Sequence, residues 1–261
     1  MSETLITSWF FLFGALFGSF ANVVIIRMPQ GKSVVTPRSH CGSCGKTIPW
    51  YDNIPVATYL IRMGKCRFCK AKFSPRYMLV EILMGVLFAL AYFYFGFSWF
   101  LIESLIFIFP LVICSFIDID HMILPDEFTL SGIVIGLLGA VINPEREFLN
   151  ALYGVLLGGG FLLALAYVYF LLTGQEGMGG GDIKLLAWIG AVLGWQAVPF
   201  VITVSAIFGT IIGLILARKQ KQGLKTVIPY GPYLAAAALL FLFSGRTLSE
   251  MYFNLFIPGL Q

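Results

Sequence analysis

Charged residues are scarce in this sequence of 261 amino acids and make up only 11% of it. About a quarter of the residues of a soluble domain are charged, so this composition excludes an ordinary soluble domain. Hydrophobic residues make up 59%, which indicates a chain that crosses a membrane several times. The net charge of +4 is no sign of nucleic-acid binding, because a basic cluster such as residues 218–221 is better explained as an anchor that meets membrane lipid headgroups.

Signatures of nucleotide binding and of secretion are also missing. The sequence has no strand followed by Gly-x-Gly-x-x-Gly and a helix, and it has no internal repeat. The first apolar segment has only Glu3 as a charge before it, lacks a convincing small-residue cleavage site and ends at Arg27. We therefore expect a retained membrane span and not a cleaved signal peptide.

Long apolar segments predict the fold class, because a span needs roughly 20 apolar residues. The candidate spans are residues 5–26, 78–96, 98–117, 128–142, 149–172, 183–195, 197–217 and 228–244. The sequence thus predicts an all-α integral membrane protein with about eight transmembrane helices. We divide it into a first span (1–27), a Cys-rich loop (28–77) and a polytopic core (78–261).

Lys and Arg residues predict the orientation. With eight spans, alternate loops fall on the same side, and one side, counting Arg27 and Lys184 at the edges of its loops, then holds every Lys and Arg except Arg146 and Arg246. The loops on that side are residues 28–77, 118–127, 173–182 and 218–227. Because an excess of Lys and Arg marks the cytoplasmic side, we expect the Cys-rich loop to be cytoplasmic and both termini to lie outside.

Four of the five cysteines form two C-x-x-C pairs in the loop 28–77. The pairs, Cys41 with Cys44 and Cys66 with Cys69, are separated by a spacing typical of a tetrahedral zinc site. Two disulfides or free thiols are the alternatives, and a reducing cytoplasm disfavours the disulfides. Four cysteine ligands leave no open coordination position, so we expect structural and not catalytic zinc.

Two aspartates lie beside membrane-depth sequence, where ionisable residues are costly and usually functional. Asp118 ends the third apolar run, and Asp182 follows a segment containing Gly177, Gly179, Gly180 and Gly181. Two carboxylates that share one proton can activate water and polarise a peptide carbonyl. The leading interpretation is an intramembrane aspartic protease.

Other polar residues compete for roles near this pair. Asp120 points about 200° away from Asp118 on a helix, so both face one cavity only if the helix ends between them. Asp126 follows Pro125 and suits the N-cap of the fourth span. His121 either tunes the proton of Asp118 or simply ends the helix.

The ordered motifs of this chain resemble the type IV prepilin peptidases, also called prepilin leader peptidases/N-methyltransferases. The resemblance spans nearly the whole chain and is highly specific as an ordered set. The matching strings are residues 18–23, Cys41–Cys44, 50–55, 64–69, 76–81, 117–126, 176–182 and 229–233.

The resemblance implies that Asp118 and Asp182 are the catalytic pair of a bacterial inner-membrane enzyme. It implies cleavage of a short basic leader from prepilins or pseudopilins on the cytoplasmic side, followed by methylation of the new N-terminus with S-adenosylmethionine. Positions Gly64, Lys65 and Glu81 match residues expected to serve methyl transfer. Because a Rossmann signature is missing, we expect an unconventional methyl-donor site between the cysteine loop and the membrane face.

Three other functions remain open, and one is a peptidase that has lost methylation, which the four retained loop cysteines disfavour. A proton-coupled transporter would use Asp118 and Asp182 as relay groups, although the missing repeat disfavours it. A non-enzymatic, zinc-bearing assembly platform would tolerate Asp182→Asn. The sequence does not define which pilin is the substrate or the oligomeric state.

Overall fold

The computed structural model describes residues 2–175, 179–220 and 228–256, without the side chains of residues 217, 219, 220 and 246–256. Glu176 and Gly177 of the glycine-rich segment, most of the predicted loop 218–227 and the side chain of Arg246 therefore lie outside the described residues. Over the described part of the chain, helices account for the regular secondary structure, and extended backbone pairs only in two isolated β-bridges. The prediction of an all-helical fold is confirmed to this extent.

Nine α-helices follow one another along the described residues. They are α1 (Glu3–Arg27), α2 (Ala57–Ile61), α3 (Arg76–Phe95), α4 (Trp99–His121), α5 (Asp126–Ile142), α6 (Phe148–Thr173), α7 (Gly180–Leu193), α8 (Ala197–Gln220) and α9 (Gly231–Phe256). Each of the eight predicted spans coincides with one of them. Five, namely α1, α3, α4, α6 and α8, are long and apolar enough to cross a membrane, so multiple membrane crossing is supported while the full count of eight stays a prediction.

The chain divides into two compact units, residues 1–113 and 114–261, with the boundary inside α4. In the first unit, α1 packs closely on α3. A Cβ on Gly14 would lie 2.5 Å from the Met84 carbonyl oxygen, so only glycine permits this approach. The Asn22 side chain is buried and donates to the Tyr77 carbonyl at 3.0 Å, which fastens the end of α1 to the start of α3.

In the second unit, α7 is the central helix, and its residues 185–192 are all buried. Glycines of α5 and α6 pack against it. A Cβ on Gly132 would lie 2.5 Å from the Trp188 ring, and one on Gly158 would lie 2.5 Å from the Leu186 carbonyl oxygen. The tightest contact joins Gly154 to Gly190, where a Cβ on either residue would overlap the carbonyl oxygen of the other. These backbone contacts fix the position of α7.

The helix boundaries correct the expected position of Asp126 and define that of Asp182. Asp126 is the first residue of α5, and Pro125 holds the N-cap position that we predicted for Asp126. Asp182 lies inside the first turn of α7, whose N-cap is Gly179. Neither N-cap residue makes a side-chain capping hydrogen bond.

Candidate active site, metal centre and pocket

Asp118 lies on the last turn of α4, where its side chain is turned inward and is only 5% exposed. Its Oδ2 accepts a hydrogen bond of 2.9 Å from the backbone N–H of Gly231, the first residue of α9. A Cβ on Gly231 would lie 2.8 Å from this oxygen. The start of α9 therefore approaches the carboxylate as closely as a backbone can.

Asp182 lies in the first turn of α7 and is partly exposed. It is near enough to Asp118 for their negative charges to repel, and it also interacts electrostatically with Tyr230. Leu124 connects the surroundings of the two aspartates. It contacts Gly181, which precedes Asp182, and it contacts Gly231, whose N–H donates to Asp118. The structure thus brings the two predicted acids together at the starts of α7 and α9.

Other predicted acids take different positions. Asp120 and His121 are exposed at the end of α4, in agreement with the expected rotation of Asp120 away from Asp118. Asp126 Oδ1 forms an ion pair of 2.6 Å with the Nζ of Lys184, which lies one half-turn beyond Asp182 on α7. This pair joins the N-terminal ends of α5 and α7 at the rim of the acidic site.

Sequence reasoning missed the residues that support the acids. Tyr230 shares a hydrogen bond of 2.7 Å between its hydroxyl and that of Ser205 on α8. This bond holds Tyr230 in place, and with it the next residue, Gly231, whose N–H donates a hydrogen bond to Asp118. The string 229–233 was recognised only as a motif, because nothing in it reveals a contact with a residue 113 positions earlier.

The four loop cysteines converge in the first unit. Their sulfur atoms all lie within 4.8 Å of one another, and the Sγ atoms of Cys41 and Cys69 are 3.8 Å apart. A tetrahedral zinc ion with bonds of about 2.3 Å requires sulfur atoms about 3.8 Å apart, so these residues fit the metal. Within the described residues, no other group of three or more His, Cys, Asp or Glu side chains is close enough to hold a metal ion.

The backbone around the cysteines also suits a metal. Each pair sits in a tight turn, in which Gly45 donates to the Cys41 carbonyl at 2.8 Å and Lys70 donates to the Cys66 carbonyl at 3.1 Å. The backbone N–H groups of Cys44 and Ser43 lower the pKa of the Cys41 thiol to about 6. A metal ligand must be a thiolate, and these N–H groups favour that form.

The pKa of the Cys69 thiol is shifted in the opposite direction to that of Cys41. The backbone near Ala71 acts to lower the pKa of Cys69, but burial and the other three thiols raise it to about 11. Four adjacent thiolates therefore need a central positive charge. His40, next to Cys41 in the sequence, is exposed, and its Nδ1 lies 3.2 Å from the Arg38 carbonyl oxygen, outside the cysteine group.

A cavity of about 540 Å³ lies within the first unit, between the cysteine loop and the adjoining ends of α1 and α3. Gly64, Lys65 and Glu81, the predicted methyl-transfer residues, all line it. Gly64 has φ +66°, a conformation that favours glycine, and a Cβ there would lie 2.8 Å from the end of the Tyr59 ring. The volume is in the range of small-molecule sites.

Charged residues brace this cavity. The Asp52 carboxylate, 8% exposed, receives hydrogen bonds from Arg62 at 2.5 and 3.0 Å and lies 3.6 Å from Arg67. Arg67 also stacks over the Tyr51 ring, with its guanidinium carbon 5.2 Å from the ring centroid. The segment 50–53 is thereby tied to the second cysteine turn, which explains how a short loop keeps a defined cavity.

Comparisons with known proteins agree with this pairing of a cysteine-bearing unit and an acidic helical unit. Residues 12–95 match the family model described as "Bacterial Peptidase A24 N-terminal domain", and residues 105–214 match the model described as "Type IV leader peptidase family". The chain belongs to this family of membrane peptidases. No solved structure gives a significant match.

Curated relatives define the family more closely. Proteins named prepilin leader peptidase/N-methyltransferase are 37% identical in Stutzerimonas stutzeri, 36% in Pseudomonas aeruginosa and 35% in Legionella pneumophila. Each alignment covers 92% of this chain, and it covers 91%, 91% and 92% of the respective relative. The recognition of the family from its motifs is therefore confirmed, and the membership favours an enzyme over the transporter and platform alternatives.

Proposed function

We propose that the protein removes the leader of prepilins or pseudopilins with Asp118 and Asp182 as its catalytic acids. The observation that carries this proposal is the approach of two carboxylates from different helices, one buried against the N–H of Gly231 and one on a turn that is partly open to solvent. One ionised carboxylate takes a proton from water as it attacks the scissile carbonyl. The other, protonated, polarises that carbonyl and then protonates the leaving amine.

We further propose that the site faces the cytoplasm of a bacterial inner membrane. The distribution of Lys and Arg supports this orientation, since the loops predicted to be cytoplasmic carry both the acids and the cysteines. A substrate anchored by its own apolar helix would present the bond after its leader at the same interface. The basic leader would then meet Asp120 and Asp126, which are both exposed beside the site.

The second proposed activity is methylation of the new N-terminus at the cavity of the first unit. Gly64, Lys65 and Glu81 would form part of the S-adenosylmethionine site there, and the cysteine group would hold a structural zinc ion that fixes the cavity wall. S-adenosylmethionine would supply the methyl group. The chain itself would bind the donor, orient it and exclude water through the cysteine turns and the Asp52–Arg62 brace.

Mass spectrometry of a prepilin incubated with the purified protein and S-adenosylmethionine tests both activities. We expect loss of the leader and addition of one methyl group with the wild type, and no cleavage with Asp118→Asn or Asp182→Asn. Glu147→Gln, an exposed carboxylate at the start of α6, is the matched control and should cleave normally. Cleavage by either aspartate variant at the wild-type rate would contradict the assignment of the acids.

A further inference from the structure

Val56, between the segment 50–53 and α2, has a backbone conformation that a branched side chain rarely adopts. Its φ is +59° and its ψ is −54°. The N–H of Ala57 donates to the Pro55 carbonyl at 2.5 Å, which closes a three-residue γ-turn around Val56. A γ-turn with positive φ is rare and strained, especially at a β-branched residue, so its surroundings must hold it in place.

The Glu81 side chain makes the contact that can hold this turn. Glu81 lies near the start of α3, and its Oε2 accepts a hydrogen bond of 2.7 Å from the N–H of Val56. The side chain of Ser19 on α1 also interacts with this carboxylate. Glu81 is thus engaged with two groups of the protein, one of them the N–H at the centre of the strained turn.

The turn shapes the cavity on both of its sides. Ile54 precedes it and Thr58 follows it, and both line the cavity together with Ser19 and Glu81. One residue farther along α2, Tyr59 supplies the ring that lies against Gly64. A change at Val56 would therefore move Ile54, Tyr59 and, through Tyr59, the glycine predicted to serve methyl transfer.

We propose that Glu81 is a positioning residue, which keeps the γ-turn at Val56 and through it the wall of the methyl-donor cavity. This inference rests on the proposed binding of S-adenosylmethionine in that cavity. It differs from the obvious alternative, in which the Glu81 carboxylate pairs directly with the positive charge of the donor. The two roles separate cleanly, because positioning needs only a hydrogen-bond acceptor whereas pairing needs the charge.

Binding of S-adenosylmethionine to the full-length protein, measured by equilibrium dialysis, distinguishes the two roles. We expect Glu81→Gln, which keeps an acceptor oxygen, to bind within about threefold of the wild type, and Glu81→Ala to bind about tenfold more weakly. Glycine adopts positive φ without strain, so Val56→Gly added to Glu81→Ala should recover most of that loss. In methylation assays the loss should appear in KM for the donor, with kcat restored at saturation. Glu147→Gln is again the matched control.

Equal loss in Glu81→Gln and Glu81→Ala, without rescue by Val56→Gly, would overturn the proposal in favour of direct charge pairing. Hydrogen exchange at the Val56 amide supplies a readout that needs no ligand. Protection retained in Glu81→Gln and lost in Glu81→Ala supports the positioning role, and identical exchange in both overturns it. If the wild type binds no S-adenosylmethionine, the methyl-donor cavity is refuted, and exchange at Val56 still decides whether Glu81 holds the turn.

Discussion

Replacing Gly231 with alanine is the sharpest test of the acidic site. The new Cβ would lie 2.8 Å from Asp118 Oδ2 and 3.1 Å from Leu124 Cδ2, both closer than an ordinary van der Waals contact. Asp118 is buried, so its carboxylate cannot escape by turning into solvent. It must shift within the site, and the hydrogen bond of 2.9 Å from the Gly231 N–H must distort with it.

The size of the effect follows from this geometry. Ordinary contact begins near 3.4 Å, so the carboxylate and the start of α9 must separate by roughly 0.6 Å. A misplacement of about 1 Å at a reacting group can cost a factor of about 100 in rate, so we expect kcat for leader removal to fall by about tenfold or more. The overpacking should cost about 1–3 kcal/mol of stability.

Cleavage of a prepilin in detergent micelles, with kcat and KM determined separately, measures this loss. The matched control is Gly245→Ala on the same helix, where a Cβ meets nothing within 4 Å and alanine favours the helix. We expect this control to keep the wild-type kcat. If Gly231→Ala also kept it, the position of the Asp118 carboxylate would be unimportant for cleavage, and the assignment of Asp118 as a catalytic acid would be wrong.

Three further predictions concern packing, metal and substrate charge. Gly154→Val should lower the melting temperature strongly, because its side chain overlaps a backbone oxygen, whereas Gly160→Ala in open space should not. Cys66→Ser should lower the zinc content found by atomic absorption and expose the cysteine loop to proteolysis. Asp126→Asn should raise KM for basic leaders, and Lys184→Met should lower it by freeing Asp126. Because this pair is exposed and worth about 0–1 kcal/mol, neither change should alter the melting temperature much, and unchanged KM values in both would refute a role for Asp126 in leader binding.

The helices were predictable from the sequence because their apolar runs are long. Each predicted span falls on a helix, but the boundaries differ where polar residues continue a helix beyond the apolar run. The third predicted span stops at residue 117, whereas α4 continues to His121. Hydropathy measures which residues prefer hydrocarbon, while helix length is set by backbone hydrogen bonds. At a membrane surface the apolar run and the helix can therefore end at different residues.

The acids and the cysteines were predictable for a different reason. Carboxylates beside apolar segments are costly, and paired C-x-x-C spacing is specific, so both stand out from their surroundings. The contacts that support these residues do not stand out in the sequence. The bond between Gly231 and Asp118 joins distant residues, and the bond between Val56 and Glu81 ends on a backbone N–H that every non-proline residue carries. Sequence reveals costly residues, but not the ordinary groups that tertiary structure places beside them.

Arg146 shows how this limit applies even to a charge. It was one of only two basic residues outside the predicted cytoplasmic side, without an evident purpose. In the structure its Nη2 donates to the Ala191 carbonyl at 2.6 Å, in the last turn of α7, where carbonyl groups lack partners within the helix. A cation there also interacts favourably with the helix dipole.

Arg146 thus secures the far end of the helix whose first turn carries Asp182, and the contact of Gly154 with Gly190 fixes the same helix along its length. The position of Asp182 is therefore determined by contacts with the backbone of α7, and those contacts require glycine or a cation at particular positions rather than an apolar surface alone.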